Sequence, residues 1–252
     1  MKKKIAIILG GVFICLLIGV LLSFVNSFMG NPISKALATH SIKEYVKEEY
    51  PHLNLEVNSA VYNFKMGDYN ATAKSKDSVD TYFMVHCSWD GTVLDDEYEE
   101  RVLSGWNTFR RFEQEYQKTV ENLVESNLPY DFDMIIARLD KREDSSVKVS
   151  LDTQFDIYNV PYKKYLTVYM YTDELSWDKI AQTALEVDDL MQENQLSVNE
   201  YTIVLEPLSA KEEKKGEMMG VYDFPQELLS SENLADVMEK RQAQWESEHD
   251  KS

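Results

Sequence analysis

The chain has 252 residues, 44% of them hydrophobic, and its 44 acidic and 26 basic side chains give a formal net charge of −18 at pH 7. Because phosphate groups repel a protein of this charge, the composition disfavours binding to nucleic acid and to anionic lipid surfaces. The hydrophobic content is too high for a disordered stalk, so the sequence predicts a folded body.

The first 30 residues combine a basic start with a long apolar run. Three lysines at positions 2–4 precede residues 5–25, which carry no charge. At about 1.5 Å per residue, a helix over this run would be roughly 30 Å long, the thickness of a bilayer hydrocarbon core. A cleaved signal peptide usually has an apolar stretch of only about 7–15 residues, although Val25-Asn26-Ser27 could serve as a cleavage site. The run is therefore predicted to be an uncleaved transmembrane helix, a signal-anchor.

The charges around the apolar run predict its orientation. Lys35 and Lys43 are the only basic residues in the 20 positions after it. Since the more positive flank stays in the cytoplasm, the N-terminus is predicted to be cytoplasmic and the body extracellular. All 44 acidic residues follow the run, which gives the body a net charge of about −21. The predicted location is thus the cell membrane, in a single pass.

Residues 31–128 predict a first α+β domain. A helix at about 33–50 precedes strand-like segments at 53–57, 60–64, 69–74, 81–89 and 92–94, with turns at Met66-Gly67-Asp68 and Asp90-Gly91. An amphipathic helix at about 95–127 follows, and the carboxylates of residues 95–97 are expected at its positive end. The pattern predicts a helix on an antiparallel meander, closed by a long C-terminal helix.

Residues 129–210 predict a second α+β domain. Strands are expected at 132–139 and 165–172, with one or two more in 147–158. A helix at 176–194, capped by Ser176, precedes a strand at 201–205, which indicates a βαβ crossover. Residues 211–252 are predicted to be a polar tail with a last helix from about 232 to 246. With the anchor at 1–30, the fold class is α+β: a transmembrane helix followed by two small α+β units.

No pattern of histidine or cysteine predicts a catalytic, metal or cofactor site. The four histidines are too dispersed for a ligand pair on one helix, and a metal site needs three or four convergent ligands. His86 and Cys87 are neighbours on a predicted strand, where they should point to opposite faces. We expect Cys87 to be a buried structural side chain and no cofactor to be required. The histidines are His40, His52, His86 and His249.

The abundant acids and tyrosines leave one alternative open. A glycosidase-type enzyme needs two convergent carboxylates, and the adjacent acids of this chain are expected at helix ends or turns. Clustered tyrosines in the second half are expected mainly in sheet packing, with a peptide- or glycan-binding surface as the alternative. The acids are Asp95 and Asp96, Asp131 and Asp133, and Asp188 and Asp189; the tyrosines are Tyr158, Tyr162, Tyr165, Tyr169 and Tyr171.

Three stretches carry a resemblance to a known family: Gly30-Asn31-Pro32-Ile33-Ser34-Lys35, Tyr62-Asn63-Phe64-Lys65 and Leu103-Ser104-Gly105-Trp106-Asn107-Thr108. With the basic and apolar start, they resemble the YfjL-like proteins. The resemblance implies a Gram-positive bacterial source and an N-terminal membrane segment, and it supplies no activity. Residues 33–94 also look like a PepSY-type or cystatin-like module, a shape that often binds peptides or regulates proteases.

Together these observations favour a non-catalytic binding or regulatory module, anchored to the membrane and placed outside the cytoplasm. The expected partners are the membrane, through residues 5–25, and an envelope protein or peptide; nucleic acid is not expected. Two alternatives remain: an envelope hydrolase that uses convergent carboxylates, and an accessory subunit of a membrane complex.

Overall fold

The structure is a computed structural model that describes residues 10–14, 16–19, 29–141, 149–213 and 216–249. The described elements are α+β and include two separate sheets. The chain divides into two compact units. The first comprises Met1–Thr108 with Ser150–Asp152, and the second comprises Phe109–Val149 with Thr153–Ser252.

The predicted transmembrane helix at residues 5–25 is wrong for the part of the chain that the structure describes. No helix in that part is both long enough and apolar enough to cross a membrane. Residues 10–14 and 16–19 are helical. The remaining positions of the predicted span, 5–9, 15 and 20–25, lie outside the described residues.

The first unit packs one helix on a five-stranded antiparallel sheet. The helix α1 is Pro32–Glu49; the strands are β1 Leu55–Val57, β2 Val61–Asn63, β3 Asp68–Ser75, β4 Tyr82–Cys87 and β5 Val93–Asp96. The strand order is β1-β3-β4-β5, and β2 also pairs with β3. These elements confirm the helix and the five strands predicted between residues 33 and 94. The two predicted turns are confirmed as well, with positive φ angles at Gly67 and Gly91.

One face of α1 is buried against this sheet. Ser34, Ala38, Ile42 and Val46 follow one another at every fourth position, which places them on one side of an α-helix. Ala38, Ile42 and Val46 pack in a core that includes side chains of β3 and β4. Ile33 and Leu37, one position before Ser34 and Ala38, are exposed. In the first half of α1 the buried positions are therefore taken by small side chains.

The strands β1 and β2 form one edge of the sheet. They pair with opposite ends of β3, at residues 73–75 and 68–70, while β4 occupies the other side of β3. Between them, the N–H of Ala60 donates a 2.9 Å hydrogen bond to Oγ1 of Thr39 in α1. This bond attaches the segment that links β1 and β2 to α1.

The long helix begins later than predicted. Asp95 and Asp96 end β5, residues Glu99–Leu103 form a π-helical turn, and the helix α2 is Trp106–Asn127. The residue before α2 is Gly105, with a φ of +71°. Sequence periodicity did not reveal the break because apolar side chains continue at helical spacing through the π-helical turn. The carboxylates of residues 95–97 thus lie outside α2, and the prediction that they stand at its N-terminus is wrong.

The second unit contains α2 from Phe109 onward and a four-stranded mixed sheet. Its other elements are β6 Asp131–Asp140, β7 Lys163–Thr172, α3 Trp177–Glu193, β8 Glu200–Pro207, α4 Ala210–Glu213, β9 Met219–Pro225 and α5 Leu234–His249. The strand order is β6-β7-β8-β9, and β7 and β8 are parallel. This confirms the predicted βαβ crossover, and Ser176 caps α3 as predicted by accepting a hydrogen bond from Lys179 N–H.

Two predictions for this unit need correction. Among the described residues 149–158 there is no strand; they hold a turn and the start of a 3₁₀ turn, Ile157–Asn159. Conversely, β9 lies in the segment predicted to be a polar tail. Its sequence contains glycine, aspartate and proline, which are weak strand formers. Gly220 is required there because a Cβ atom would lie 2.9 Å from the carbonyl oxygen of Ile203 in β8.

A side chain of α2 covers the outer edge of β6. The amide Nε2 of Gln117 donates to the carbonyl of Ile135 at 2.8 Å, and its Oε1 accepts a hydrogen bond from the N–H of Ala137. An amide side chain used in this way replaces a neighbouring strand and satisfies backbone groups that an edge strand leaves unpaired.

Candidate functional site

A groove of about 700 Å³ lies in the first unit, between the C-terminal half of α1 and the edge strand β1. One wall carries Lys43, Glu44, Lys47 and Tyr50, and the other wall is the run 51–57. Val46 is also among the lining residues, so the groove combines apolar side chains with charges. Such a mixture suits a ligand that has both a backbone and side chains to be recognised.

The hydrogen-bond pattern of β1 fixes which of its backbone groups point away from β3. The carbonyl of Asn54 accepts a 2.9 Å hydrogen bond from Lys76, and the N–H of Asn58 donates a 3.1 Å hydrogen bond to Thr72. The even-numbered residues of this segment therefore face β3. Because the direction alternates along an antiparallel strand, Leu55 and Val57 direct their backbone groups away from β3.

Three of these outward backbone groups make no hydrogen bond within the described part of the chain. The N–H of Leu55 donates to the carbonyl of Leu53 at 2.7 Å. Within the described part of the chain, the carbonyl of Leu55 and both the N–H and the carbonyl of Val57 have no partner. The edge of β1 thus offers a donor between two acceptors at the wall of the groove.

A carboxylate fixes the tyrosines beside the groove. The hydroxyl groups of Tyr45 and Tyr50 donate to Oδ2 of Asp96 at 2.5 and 2.8 Å, and Oδ1 of Asp96 accepts a 2.8 Å hydrogen bond from Tyr98 N–H. The Tyr50 ring also packs edge-on against Phe83. Burial, with the hydrogen bond to Asp96, raises the pKa of Tyr45 to about 12 and raises the pKa of Tyr50 further. Both phenols stay neutral at physiological pH.

The charges of the groove are unevenly paired. Glu56, on β1, lies 3.8 Å from Nζ of Lys76 across the strand pair. Lys43 and Lys47 make no ion pair with any described residue. The groove lining therefore carries two lysines, Lys43 and Lys47, and two carboxylates, Glu44 and Glu56.

His86 and Cys87 point to opposite faces of β4, as the sequence predicts. His86 pairs in register with Asn70, and its Nδ1 lies 2.8 Å from Oδ2 of Asp68. Cys87 is fully buried on the side of α1, which confirms the predicted burial of this side chain. Burial raises the pKa of the Cys87 thiol, so the nucleophilic thiolate is disfavoured.

The remaining histidines do not converge. His40 is exposed on α1, His52 lines the groove, and His249 ends α5. The described residues contain no group of three or more histidine, cysteine, aspartate or glutamate side chains placed to hold a metal ion.

The acids that are adjacent in the sequence have different surroundings in the structure. In the first unit, Asp96 binds tyrosines, whereas Asp95 lies opposite His86 in register. In the second unit, Lys211 Nζ is 2.6 Å from Asp131, the hydroxyl of Tyr171 donates to Asp133 at 2.6 Å, and the hydroxyl of Tyr201 donates to the buried Asp188 at 2.7 Å. Asp189 is exposed.

The tyrosine-rich region of the second unit is distributed over several environments. Tyr162 is buried and packs edge-on against Phe109, and Tyr158 is exposed. Tyr165, Tyr169 and Tyr171 alternate along β7 with buried residues and are themselves half-buried. The hydrogen bond to Asp133 raises the pKa of Tyr171 to about 12. These tyrosines belong largely to sheet packing.

The groove residues were not predicted from the sequence. The alternation in residues 53–57 identifies a strand, but it carries no information on whether that strand lies at an edge. Lys43 and Lys47 look like ordinary solvated charges until α1 is placed above β1. The available signal is the shortness of the strand, since short strands are typical of sheet edges.

The fold and the groove define the class: a two-unit α+β protein with an open edge strand beside a helix. The comparisons agree with this division. Residues 1–97 match the description YfjL-like, N-terminal domain, and residues 115–239 match YfjL-like C-terminal domain. The chain belongs to the YfjL-like family. No curated protein and no solved structure matches it.

The three stretches that resemble this family hold the first unit together. Oδ1 of Asn31 accepts a 2.8 Å hydrogen bond from Ile33 N–H and so caps α1. Gly30 lies against Tyr62, with no space for a Cβ atom. Nδ2 of Asn107 donates to the carbonyls of Asp80 and Tyr82 at 2.9 and 2.6 Å, which fastens the first turn of α2 to the start of β4.

Proposed function

We propose that the chain is a non-catalytic binding module that takes a peptide in extended conformation alongside β1. The observation that carries the proposal is the open backbone of Val57, a residue that lines the groove and whose N–H and carbonyl point away from β3. An extended peptide adds to a sheet edge through such groups, and neighbouring pockets then select its side chains.

A foreign peptide fits this edge better than a second copy of the chain. Antiparallel pairing of two β1 strands about their centres would place the two Glu56 side chains directly opposite each other. Like charges in that position destabilise a strand pair. Glu56 thus disfavours self-association while leaving the outward backbone groups of Leu55 and Val57 open.

The contacts of the acids and of Cys87 support a binding role over hydrolysis. The acids at positions 96, 131, 133 and 188 each bind a tyrosine or a lysine. The thiol of Cys87 is buried and its pKa is raised. An envelope hydrolase with convergent carboxylates has less support from these contacts.

The test uses the purified full-length chain and a random peptide library displayed on phage. Val57→Pro removes the outward N–H without removing a bond to β3, because proline is tolerated at an edge whose N–H faces solvent. Val57→Thr keeps the N–H and the branched shape. We expect peptides selected on the wild-type chain to bind the Val57→Thr variant and not to bind the Val57→Pro variant. Equal binding to both variants would contradict the proposal.

We also propose that the module acts outside the cytoplasm. The supporting feature is the sequence of the first 25 residues, a basic start before an apolar run, which is the pattern of an export segment. Lys211→Cys introduces a thiol at an exposed position, whereas Cys87 is buried. A membrane-impermeant maleimide should label this variant on intact cells. Labelling only after lysis would contradict the proposed location.

A further inference from the structure

Exposed apolar side chains are concentrated at one end of the first unit. Among the described residues, the four large hydrophobic side chains with the greatest exposure are Met29, Ile33, Met66 and Trp89, which are 69–78% exposed. Single exposed apolar residues are ordinary on a protein surface, whereas a cluster of them marks an interaction site. The fold brings these four together.

The strand registers place Met66 and Trp89 at the same end of the sheet. Met66 lies in the turn between β2 and β3, and Trp89 lies in the turn between β4 and β5. Tyr69, near the start of β3, is paired with Cys87, at the end of β4. Because β3 and β4 are neighbouring antiparallel strands, the two turns are adjacent.

The start of α1 lies at this end as well. A Cβ atom on Gly30 would lie 2.7 Å from the Tyr62 side chain of β2, and a Cβ atom on Gly91, in the second turn, would lie 2.8 Å from Cγ of Leu37. Ile33 precedes Leu37 by one helical turn. The first turns of α1 and the two strand turns thus present one surface, the apolar end, which comprises Met29, Ile33, Leu37, Met66 and Trp89.

The apolar end lacks the acidic excess of the rest of the chain. Its three segments, 29–37, 64–67 and 88–92, contain two lysines and one aspartate, a net charge of +1, against −18 for the whole chain. The aspartate, Asp90, accepts hydrogen bonds from the hydroxyl of Ser88 and from the N–H of Thr92. The repulsion that the net charge causes at a phospholipid headgroup is therefore reduced at this surface.

The chain links the apolar end to the uncharged run of residues 5–25. Four Cα–Cα steps separate Val25 from Met29, and they span at most about 14 Å in any conformation. A run of 21 residues without charge favours an apolar phase over water, and the apolar end must lie within this distance of it. Tryptophan and other apolar side chains suit the boundary between headgroups and acyl chains. A lipid bilayer accounts for both features, whereas a protein partner accounts for the exposed side chains alone.

We infer that the apolar end docks on the surface of a lipid bilayer, with Ile33, Met66 and Trp89 inserted among the headgroups. Docking of this kind requires no helix that crosses the bilayer. The groove beside β1 stays accessible, because β1 pairs with residues 73–75, at the opposite end of β3. The inference is therefore independent of the proposed peptide binding.

Tryptophan fluorescence of the full-length chain tests the docking. The four tryptophans are Trp89, Trp106, Trp177 and Trp245. None lies in the first 28 residues, so quenching by lipid reports on the folded body and not on the apolar run. The chain is reconstituted into phosphatidylcholine vesicles with or without bromine atoms on the acyl chains. We expect bromine to quench the wild-type emission and to leave the emission of Trp89→Phe almost unchanged. Equal quenching of the two proteins, or none in wild type, would overturn the inference.

Two double variants separate the apolar end from exposed apolar residues elsewhere in the first unit. Ile33→Ser/Met66→Ser removes two of its side chains. Val79→Ser/Leu103→Ser removes two of similar exposure, 62% and 64%, from the turn between β3 and β4 and from the π-helical turn. Burial of one such side chain shifts an equilibrium by about tenfold or more. The first variant should therefore lose most of the quenching and the second should be quenched like wild type; equal quenching of both would contradict docking by this end.

A second copy of the chain at this surface would give a different result. Trp89 would then be unquenched in brominated vesicles, yet it would become protected from acrylamide, a quencher dissolved in the water, as the ratio of protein to lipid rises. That result would overturn the inference in favour of self-association. Protection from acrylamide that is independent of this ratio, together with quenching by bromine, is the result expected for docking on lipid.

Discussion

The hydroxyl group of Tyr69 accepts a 2.6 Å hydrogen bond from the backbone N–H of Asn31. Through this bond, β3 holds the residue that caps α1, and the helix is positioned over the sheet from its first turn. The residue before Asn31 is Gly30, whose φ is +71°. The start of α1, the strand β3 and the residue that leads into the helix therefore lie together at this hydrogen bond.

Gly30→Ala should destabilise the chain far more than Gly67→Ala. Both glycines have φ above +70°. Both substitutions therefore place an L-residue in the left-handed conformation, which destabilises the folded state by about 1–2 kcal/mol. Only at Gly30 would the new Cβ atom lie 2.7 Å from Cβ of Tyr62, since Gly67 faces open space. Overpacking adds about 1–3 kcal/mol at Gly30. Urea unfolding measures the difference, and equal losses for the two variants would show that the close contact is absent.

The amide protons of Val57 and Asn58 should exchange with solvent at different rates. Asn58 N–H donates to Thr72, whereas Val57 N–H points away from β3. In the free chain we expect fast exchange at Val57 and protection at Asn58. Addition of a selected peptide should protect Val57 and leave Asn58 unchanged. Protection of Val57 in the free chain would mean that its edge is already occupied.

The stability of the chain should fall as pH rises from about 10 to about 12. The pKa of Tyr45 is raised from 10.0 to about 12, first by burial and then by the hydrogen bond to Asp96. The unfolded chain therefore loses this phenolic proton at a lower pH than the folded chain. Its contribution is complete below about pH 10 and is lost as pH approaches 12.

Tyr45→Phe is the variant that tests this pH dependence. Urea unfolding across the alkaline range should show a shallower decline for Tyr45→Phe than for wild type. Asp96→Asn should lower the pKa of Tyr45 only in part, because burial is the larger cause. Identical slopes in wild type and Tyr45→Phe would exclude the effect.

Gln117→Ala should destabilise the second unit by about 1–3 kcal/mol, because it leaves two backbone groups of β6 without their partner. Gln117→Glu keeps the acceptor for Ala137 and loses the donor to Ile135, so an intermediate loss is expected. The uncovered edge should also promote association of the chain, which light scattering detects. A variant as stable and as monodisperse as wild type would contradict this role of Gln117.

The sequence was most informative where hydrophobic periodicity and turn residues coincide. Gly67 and Gly91 mark hairpin turns because only glycine adopts their φ angles easily, and Ser176 marks the start of α3 as an N-cap. The opposite directions of the His86 and Cys87 side chains follow from strand alternation alone. These are local effects, so neighbouring residues suffice to predict them.

Long-range contacts account for the errors. Asp95 and Asp96 resemble acids at a helix start, yet they pair with His86 and Val85 across β4 and β5. The strand β9 forms because β8 offers it an edge, in spite of weak local propensity. The apolar run at 5–25 shows the limit of hydropathy, since length and composition alone do not establish a membrane-spanning helix. The groove depends on α1 lying over an edge strand, which no local pattern contains.

The three residues of β1 limit how far backbone pairing alone can prolong a complex. Three open backbone groups contribute about 1 kcal/mol each at most, once exchange with water is counted. Complexes that rest on so few bonds release their ligand quickly, and differences in affinity appear mainly as differences in dissociation rate. A short edge strand thus suits repeated sampling of many candidate segments, with a long residence only for those whose side chains also fit.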